Sequence, residues 1–248
     1  MARTVSRSLA FVVAALAAGG LTAFVSAQSH GATITAAEKA AGWVSLYDGH
    51  SLDGWRGYKR PDAANTRWTA GPDGALCVDV GTGQDTRGQR DIITKATYDQ
   101  FELRWEWRVA EGGNSGLKYF VLEDQDSAIG HEYQMIDDER HPDAKRGPSR
   151  QTAALYDVIG ATNRPVKKAG EWNQSRVVVA GMKVEHWLNG AKVLDYELGS
   201  APLKAAIAQS KFATVARFGT LQKAHILLQD HGEAVCYRNI AIKDGSRR

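Results

Sequence analysis

The sequence predicts an all-β sandwich or barrel with one short helix, and three stretches carry that prediction. Phe101–Val109 alternates without a fault, apolar or aromatic at odd positions and charged at even ones. That is the period-two signature of a half-buried strand. Val184–Leu188 and Lys192–Leu198 flank Asn189-Gly190, a dipeptide that supplies the positive φ angles of a tight type I′ hairpin. One segment reads as helix, from Ala201 to Ser210. It has Ser200 as N-cap, Pro202 in the first turn, and Leu203, Ala206, Ile207 and Ser210 on one stripe. Short strands between Gly- and Asn-rich turns complete the pattern.

In chain order, residues 1–27 follow the plan of a secretory signal. Arg3 and Arg7 form a basic end, Leu9–Val25 is apolar and free of charge, and Val25-Ser26-Ala27 suits cleavage before Gln28. A membrane anchor is the rival reading, but Gly19 and Gly20 interrupt a run that is short for a span of about 20 residues. The arginines are not adjacent and no cysteine lies near the cleavage point, which disfavours twin-arginine and lipoprotein signals. A periplasmic or secreted location is expected. Residues 28–42 are small and polar, a flexible lead-in, and residues 43–243 make one domain.

Lys and Arg number 31 against 28 Asp and Glu. Without Arg3 and Arg7 the balance falls to about +1, which is no electrostatic footprint for nucleic acid or an anionic membrane. Cys77 and Cys236 lack metal-ligand spacing. They are either buried thiols or a disulfide joining the first and last strands, and the bridge is the expectation for an exported chain. Val177–Ala180 reads as a buried strand, and Ala224–Gln229 and Val235–Ile242 as the closing strands.

The stretch from Gly112 to Asp143 carries the functional residues. Gly112-Gly113-Asn114-Ser115-Gly116 reads as a loop where the backbone approaches something closely. In His131–Asp137, Glu132 and Gln134 share one face, and Tyr133 and Met135 the other. The acid–amide face is either solvated or lines a polar groove. His225, Gln229 and His231 share parity in the same way, opposite Ile226 and Leu228.

An opening segment and eight further motifs then occur in one order. Trp43-Val44-Ser45-Leu46-Tyr47-Asp48-Gly49 with Leu52-Asp53-Gly54-Trp55 opens the domain. Gly112–Gly116, Glu132-Tyr133-Gln134, Asp137-Asp138 and His141-Pro142-Asp143 follow. Leu155-Tyr156-Asp157, Gly170-Glu171-Trp172-Asn173, Glu185–Gly190 and His225–Gly232 complete the set. Together they resemble the 3-keto-disaccharide hydrolase domain family (DUF1080) over residues 43–243. The resemblance implies a jelly-roll sandwich of the concanavalin-like lectin and glucanase type. It also implies activity on glycosides whose glucosyl ring carries a ketone at C3.

The residues suit a carbohydrate. Neighbouring hydroxyls need planar bidentate partners, and the C–H side of a ring needs an aromatic face. Asn114, Gln134, Asp137, Asn173, Arg176 and Gln229 are candidates for the first, and Tyr156, Trp172 and Trp187 for the second. A C3 ketone acidifies the C2 proton, so a base there gives an enolate that expels the group at C1. Such a reaction needs a base near C2, a donor or cation near the C3 oxygen and an acid near the leaving oxygen. Glu132, His141, His231 and Lys118 are the catalytic candidates. Two rivals stand beside this reading. One is a two-carboxylate glycosidase using Glu132 with Asp137 or Asp138. The other is a lectin, against which the ionisable His131, Glu132, His141 and His231 argue. No cofactor is required, although Asp137, Asp138 and Asp143 offer hard oxygen ligands for a structural calcium ion.

Overall fold

A computed structural model describes Met1 and residues 34–71, 73–81 and 90–247. The signal-like segment, Met1 apart, lies outside the described residues. No helix among them is long and apolar enough to cross a membrane.

Thirteen strands are described: β1 Trp43–Ser45, β2 Trp55–Gly57, β3 Trp68–Ala70, β4 Leu76–Val78, β5 Ile92–Thr94, β6 Phe101–Val109, β7 Asn114–Val121, β8 His131–Ile136, β9 Asn173–Ala180, β10 Lys183–Leu188, β11 Ala191–Glu197, β12 His225–Leu228 and β13 Val235–Asp244. They form two antiparallel sheets. The larger runs β11-β10-β9-β6-β13-β4-β3, with β1 also on β13, and the smaller runs β2-β5-β12-β7-β8. This is the expected jelly-roll sandwich.

The alternation in β6 does what it predicts, burying Phe101, Leu103, Trp105, Trp107 and Val109 between the sheets. Trp105 meets Tyr133 of the smaller sheet edge-on at 5.0 Å. Buried polar atoms in this core are paired in series. Trp107 Nε1 donates to Ser175 Oγ, which donates to Tyr133 OH, both at 2.8 Å, and Tyr133 donates to the Trp187 carbonyl at 3.1 Å. Asn189 and Gly190 turn between β10 and β11 with φ of 47° and 87°, the geometry the hairpin requires.

The predicted helix is α2, Ala201–Ala208. Ser200 accepts from the Leu203 N–H, and Leu203 and Ile207 face inward. It stops short of Ser210, whose hydroxyl turns back to donate to the Ile207 carbonyl at 2.8 Å. Part of the lead-in departs from its flexible reading. Ala36–Ala40 forms α1 behind a Thr35–Glu38 capping box, and Glu38 pairs with Arg104 at 2.6 Å. Cys77 and Cys236 are opposite each other in the β4–β13 ladder and joined as a disulfide. The bridge thus ties the last strand to the fourth rather than to the first.

Candidate active site

The inner face of the smaller sheet belongs to the core, so its outer face is left for function. Register decides what gathers there. Lys118 is opposite Glu132, and Gly116 opposite Gln134, in the β7–β8 ladder. These pairs share a face because side chains alternate along both strands. The Gln229 N–H donates to the Gly116 carbonyl at 2.9 Å, bringing the chain after β12 alongside. The even-numbered face of β8 is not solvated, for Glu132 and Gln134 are buried. The segment after Arg150 covers the strand's edge: Ala153 N–H donates to the Gln134 carbonyl at 2.8 Å, and Tyr156 N–H to the Glu132 carbonyl at 3.0 Å.

Glycine at 116 is a steric requirement. A Cβ there would sit 2.8 Å from Glu132 Cγ and Cδ, and closer still to Oε1. The Glu132 carboxylate therefore folds across a surface that only glycine leaves open. Lys118 Nζ lies 3.7 Å from that carboxylate and donates to the Ala128 carbonyl at 3.1 Å.

Around this pair opens a cleft of about 430 Å³. Asp91, Lys118, Glu132 and Lys211 supply its charged side, and Ala128, Ile129, Phe212 and Val215 an apolar side. Asp91 Oδ1 accepts from the Asp230 N–H at 2.9 Å. Burial pushes the Asp91 carboxyl up from the ordinary carboxylate range; Glu132 and Asp230 add to this, and Lys118 and the Asp230 N–H oppose it. Lys211 is exposed at the cleft, with its ammonium 4.3 Å from the Tyr156 ring centroid. Burial of its ammonium among these groups, with Lys118 and Arg150 adding to the effect and Glu132 and Asp157 opposing it, draws it below the usual lysine range.

Three amide oxygens on this side of the sheet, Asn114 Oδ1, Gln134 Oε1 and Gln229 Oε1, are buried without a hydrogen-bond donor among the described residues. Buried polar atoms are normally paired, so these three acceptors, on the face that carries Glu132, are exceptions among the described residues. Tyr156 joins the same region. Its hydroxyl accepts from Arg150 Nη1 and donates to Asp143 Oδ2, both at 2.7 Å. Burial works to raise the Asp143 carboxyl, but Tyr156, Arg150 and Arg146 outweigh it and hold it below the usual range.

His141 and His231 also meet, with ring centroids 5.9 Å apart. His231 Nδ1–H donates to Glu233 Oε2 at 2.9 Å, an arrangement that orients an imidazole as a base. The ligating atoms of His141, His231 and Glu233 lie within 4.8 Å of one another, as a divalent cation would require. Against that, His141 Nδ1 accepts from the Asp143 N–H at 3.1 Å. The ring proton is thereby on Nε2, the nitrogen a metal would need bare. The cluster reads as a hydrogen-bonded carboxylate–imidazole pair.

Several expected residues go elsewhere. Trp172 and Arg176 are on the outer face of the larger sheet. There Trp172 stacks under Arg238 and Arg108, at 4.1 and 4.7 Å, and Arg176 lies over Trp187 and pairs with Glu102. Asn173 is buried beside the β-hairpin, accepting from Lys167 N–H and Asn189 Nδ2. These three belong to the fold, as does Trp187. Asp137 is a buried turn cap whose carboxylate accepts from the Gly112, Glu139 and Arg140 N–H groups. Asp138 pairs with Arg164, and Asp143 with Arg150 and Arg146. The three aspartates proposed for calcium or for a second catalytic carboxylate are thus directed to separate protein partners. His131 is in the core, accepting at Nε2 from the Gly219 N–H, and burial pushes its pKa down to about 3. His225 Nδ1 donates to the Thr94 carbonyl beside the Arg56–Glu123 pair.

Sequence reasoning missed Asp91, Lys211 and Glu233. Asp91 shares parity with Ile93, on the outer face of β5, a signal that three strand residues are too few to make legible. Lys211 follows the helix in an irregular segment and carried no periodic signal.

A model of the 3-keto-α-glucoside-1,2-lyase-like domain matches residues 42–243. A 3-keto-disaccharide hydrolase of Bacteroides thetaiotaomicron is 35% identical over 231 residues, covering 82% of this chain and 79% of the relative. A crystal structure of a proposed glycosyl hydrolase from Parabacteroides distasonis superposes with a TM-score of 0.77 at 30% identity, over 86% of this chain and 98% of that one. A second from the same organism gives 0.60 at 26%, over 82% and 98%.

Proposed function

The chain belongs to the 3-keto-α-glucoside-1,2-lyase-like domain family and is a glycoside-active enzyme, and on that premise we propose that it cleaves 3-keto-disaccharides by proton abstraction at C2 and elimination at C1. One observation carries the reading: Glu132, Asp91, Lys118 and Lys211 line a single cleft beside amide oxygens that lack donors. That supplies a carboxylate, a carboxyl group and two cations, which are the group types the reaction needs.

In this reading Gln134, Gln229 and Asn114 accept hydrogen bonds from sugar hydroxyls, and Tyr156 offers a ring face. Glu132, its carboxylate fixed over Gly116, removes the C2 proton. The electron pair passes into the C3 carbonyl, giving an enolate whose oxygen is balanced by lysine. The enolate collapses, the C1–O bond breaks, and a C1–C2 double bond forms. Water then adds: its hydroxyl goes to C1, Glu132 returns its proton to C2, and water's own proton passes to the group that protonated the leaving oxygen. His231, aligned by Glu233, with His141 beside it, is placed to handle that water. The sequence has no net oxidation, so no redox cofactor is needed, and with lysine supplying the cation at the enolate oxygen, turnover undiminished by EDTA is expected.

The Asp91–Glu132 pair also supports ordinary acid–base cleavage of an unoxidised glycoside. Incubation with trehalose or sucrose and with their 3-keto forms separates the two. Release of sugar from the oxidised forms alone is expected, and equal cleavage of both forms would transfer the reaction to the ordinary class.

We further propose that the chain is exported. The order of the first 27 residues supports this, and a disulfide suits an oxidising compartment. Secreted material should begin at Gln28 on N-terminal sequencing; a start at Ala2 would refute export with cleavage.

A further inference from the structure

Elimination leaves one role unfilled. The oxygen departing from C1 needs a proton, and lysine ammonium groups engaged with an enolate oxygen do not supply it. We propose that Asp91 is the general acid that protonates the leaving group. The inference rests on the 3-keto reading above and adds a residue and a step to it.

The placement supports this. Asp91 precedes β5 and shares the outer face of the smaller sheet with Ile93. Its backbone is pinned there by the Tyr58 N–H, which donates to the Asp91 carbonyl at 3.1 Å. One carboxyl oxygen, Oδ1, is taken by the Asp230 N–H at 2.9 Å. Oδ2 has no hydrogen-bond partner among the described residues, and the side chain lines the cleft it shares with Glu132. The neighbouring acid, Asp230, is neutralised by a fork to Arg67, and no arginine among the described residues pairs with Asp91.

The two carboxyl groups also differ in surroundings. Glu132 has a lysine within 3.7 Å, whereas burial dominates at Asp91 and favours its protonated form. A buried carboxyl that favours its protonated form, in one cleft with a second carboxyl, is a common arrangement for a general acid. The step balances. As the C1–O bond breaks, the leaving oxygen takes its electron pair and the proton from Asp91 Oδ2, leaving carboxylate and free alcohol. On hydration water gives its hydroxyl to C1 and its proton to Asp91, while Glu132 returns to C2 the proton it removed, so both groups are restored.

Leaving-group dependence tests the role, because a merely structural residue would not produce it. Asp91→Asn keeps the shape and the acceptor for Asp230. It should slow cleavage of a 3-keto-disaccharide about 10²–10⁴-fold. With a 4-nitrophenyl 3-keto-glucoside, whose phenolate leaves without protonation, the loss should stay within roughly tenfold. Matching unfolding midpoints for variant and wild type would confirm that the fold is unchanged. Equal losses on both substrates, or near-native rates on the disaccharide, would overturn the assignment while leaving the 3-keto reading intact. Wild-type protein inert on both oxidised substrates would sink that reading, and the acid role with it.

Discussion

The two outer faces of the sandwich are both polar, yet they are built differently. On the larger sheet the charged positions satisfy one another. Arg176 meets Glu102 at 2.7 Å, Arg238 meets Glu106 at 2.7 Å, and Asn239 donates to the same glutamate at 3.0 Å. Arginines lie over Trp43, Trp172 and Trp187. On the smaller sheet polar groups are buried and, among the described residues, left partly unanswered: three amide oxygens lack donors, and Asp91 has one oxygen engaged. The difference teaches that polarity on alternate strand positions does not mark a site. Unmet hydrogen-bonding capacity does, because burying it is unfavourable unless a ligand answers it.

The largest expected effect follows from the carboxylate over Gly116. Glu132→Gln should lower turnover of a 3-keto-disaccharide about 10²–10⁴-fold with the fold intact. Near-native turnover would erase the distinction between the faces.

The core between them should respond to acid. Burial pushes His186 down to about 4 and His131 to about 3. An unfolded histidine titrates near about 6.5, so the folded state resists a proton that the unfolded state accepts. Stability should be level above about pH 6.5 and fall as pH drops toward 4, by roughly 3 kcal/mol from His186 alone. Urea unfolding at pH 7, 5.5 and 4.5 measures this, and a level profile would contradict it.

Gly116→Ala sharpens the comparison. Its Cβ meets the flexible end of Glu132 rather than backbone, so the carboxylate should move while the fold holds. Turnover should drop by roughly 10–100-fold, since small displacements of a catalytic group cost about that much. Thermal unfolding and kinetics on one preparation decide whether activity and stability separate.

Smaller effects should run in opposite directions. Gln134→Leu removes a buried amide whose oxygen lacks a donor, so stability should hold or rise by up to about 1 kcal/mol while sugar binding weakens severalfold by calorimetry. Arg176→Gln, on the saturated face, should leave kinetics unchanged and cost under about 1 kcal/mol. A kinetic defect there would reopen that face as a site.

Much of this was legible in the sequence, for reasons that are local. The β6 alternation, the Asn189-Gly190 hairpin and the Ser200 cap each depend on neighbours within a few residues. So does the parity that puts Glu132 with Gln134. Gln229 and His231 were placed by parity even though the strand ends at Leu228. What failed depends on long-range order. Trp172, Asn173 and Arg176 have sugar-binding chemistry, but topology puts their strand on the other sheet. Asp91 gains its meaning from Lys118 and Glu132, distant in sequence, and Lys211 from Tyr156.

The central claim is that the smaller sheet's groove does its chemistry at C2. A 3-keto-disaccharide deuterated at C2 tests it most directly, with turnover and label followed together for the wild-type protein. Slowed cleavage or loss of deuterium to solvent, both abolished in Glu132→Gln, is the predicted result. Cleavage at an undiminished rate with the label retained in the released sugar would contradict the account.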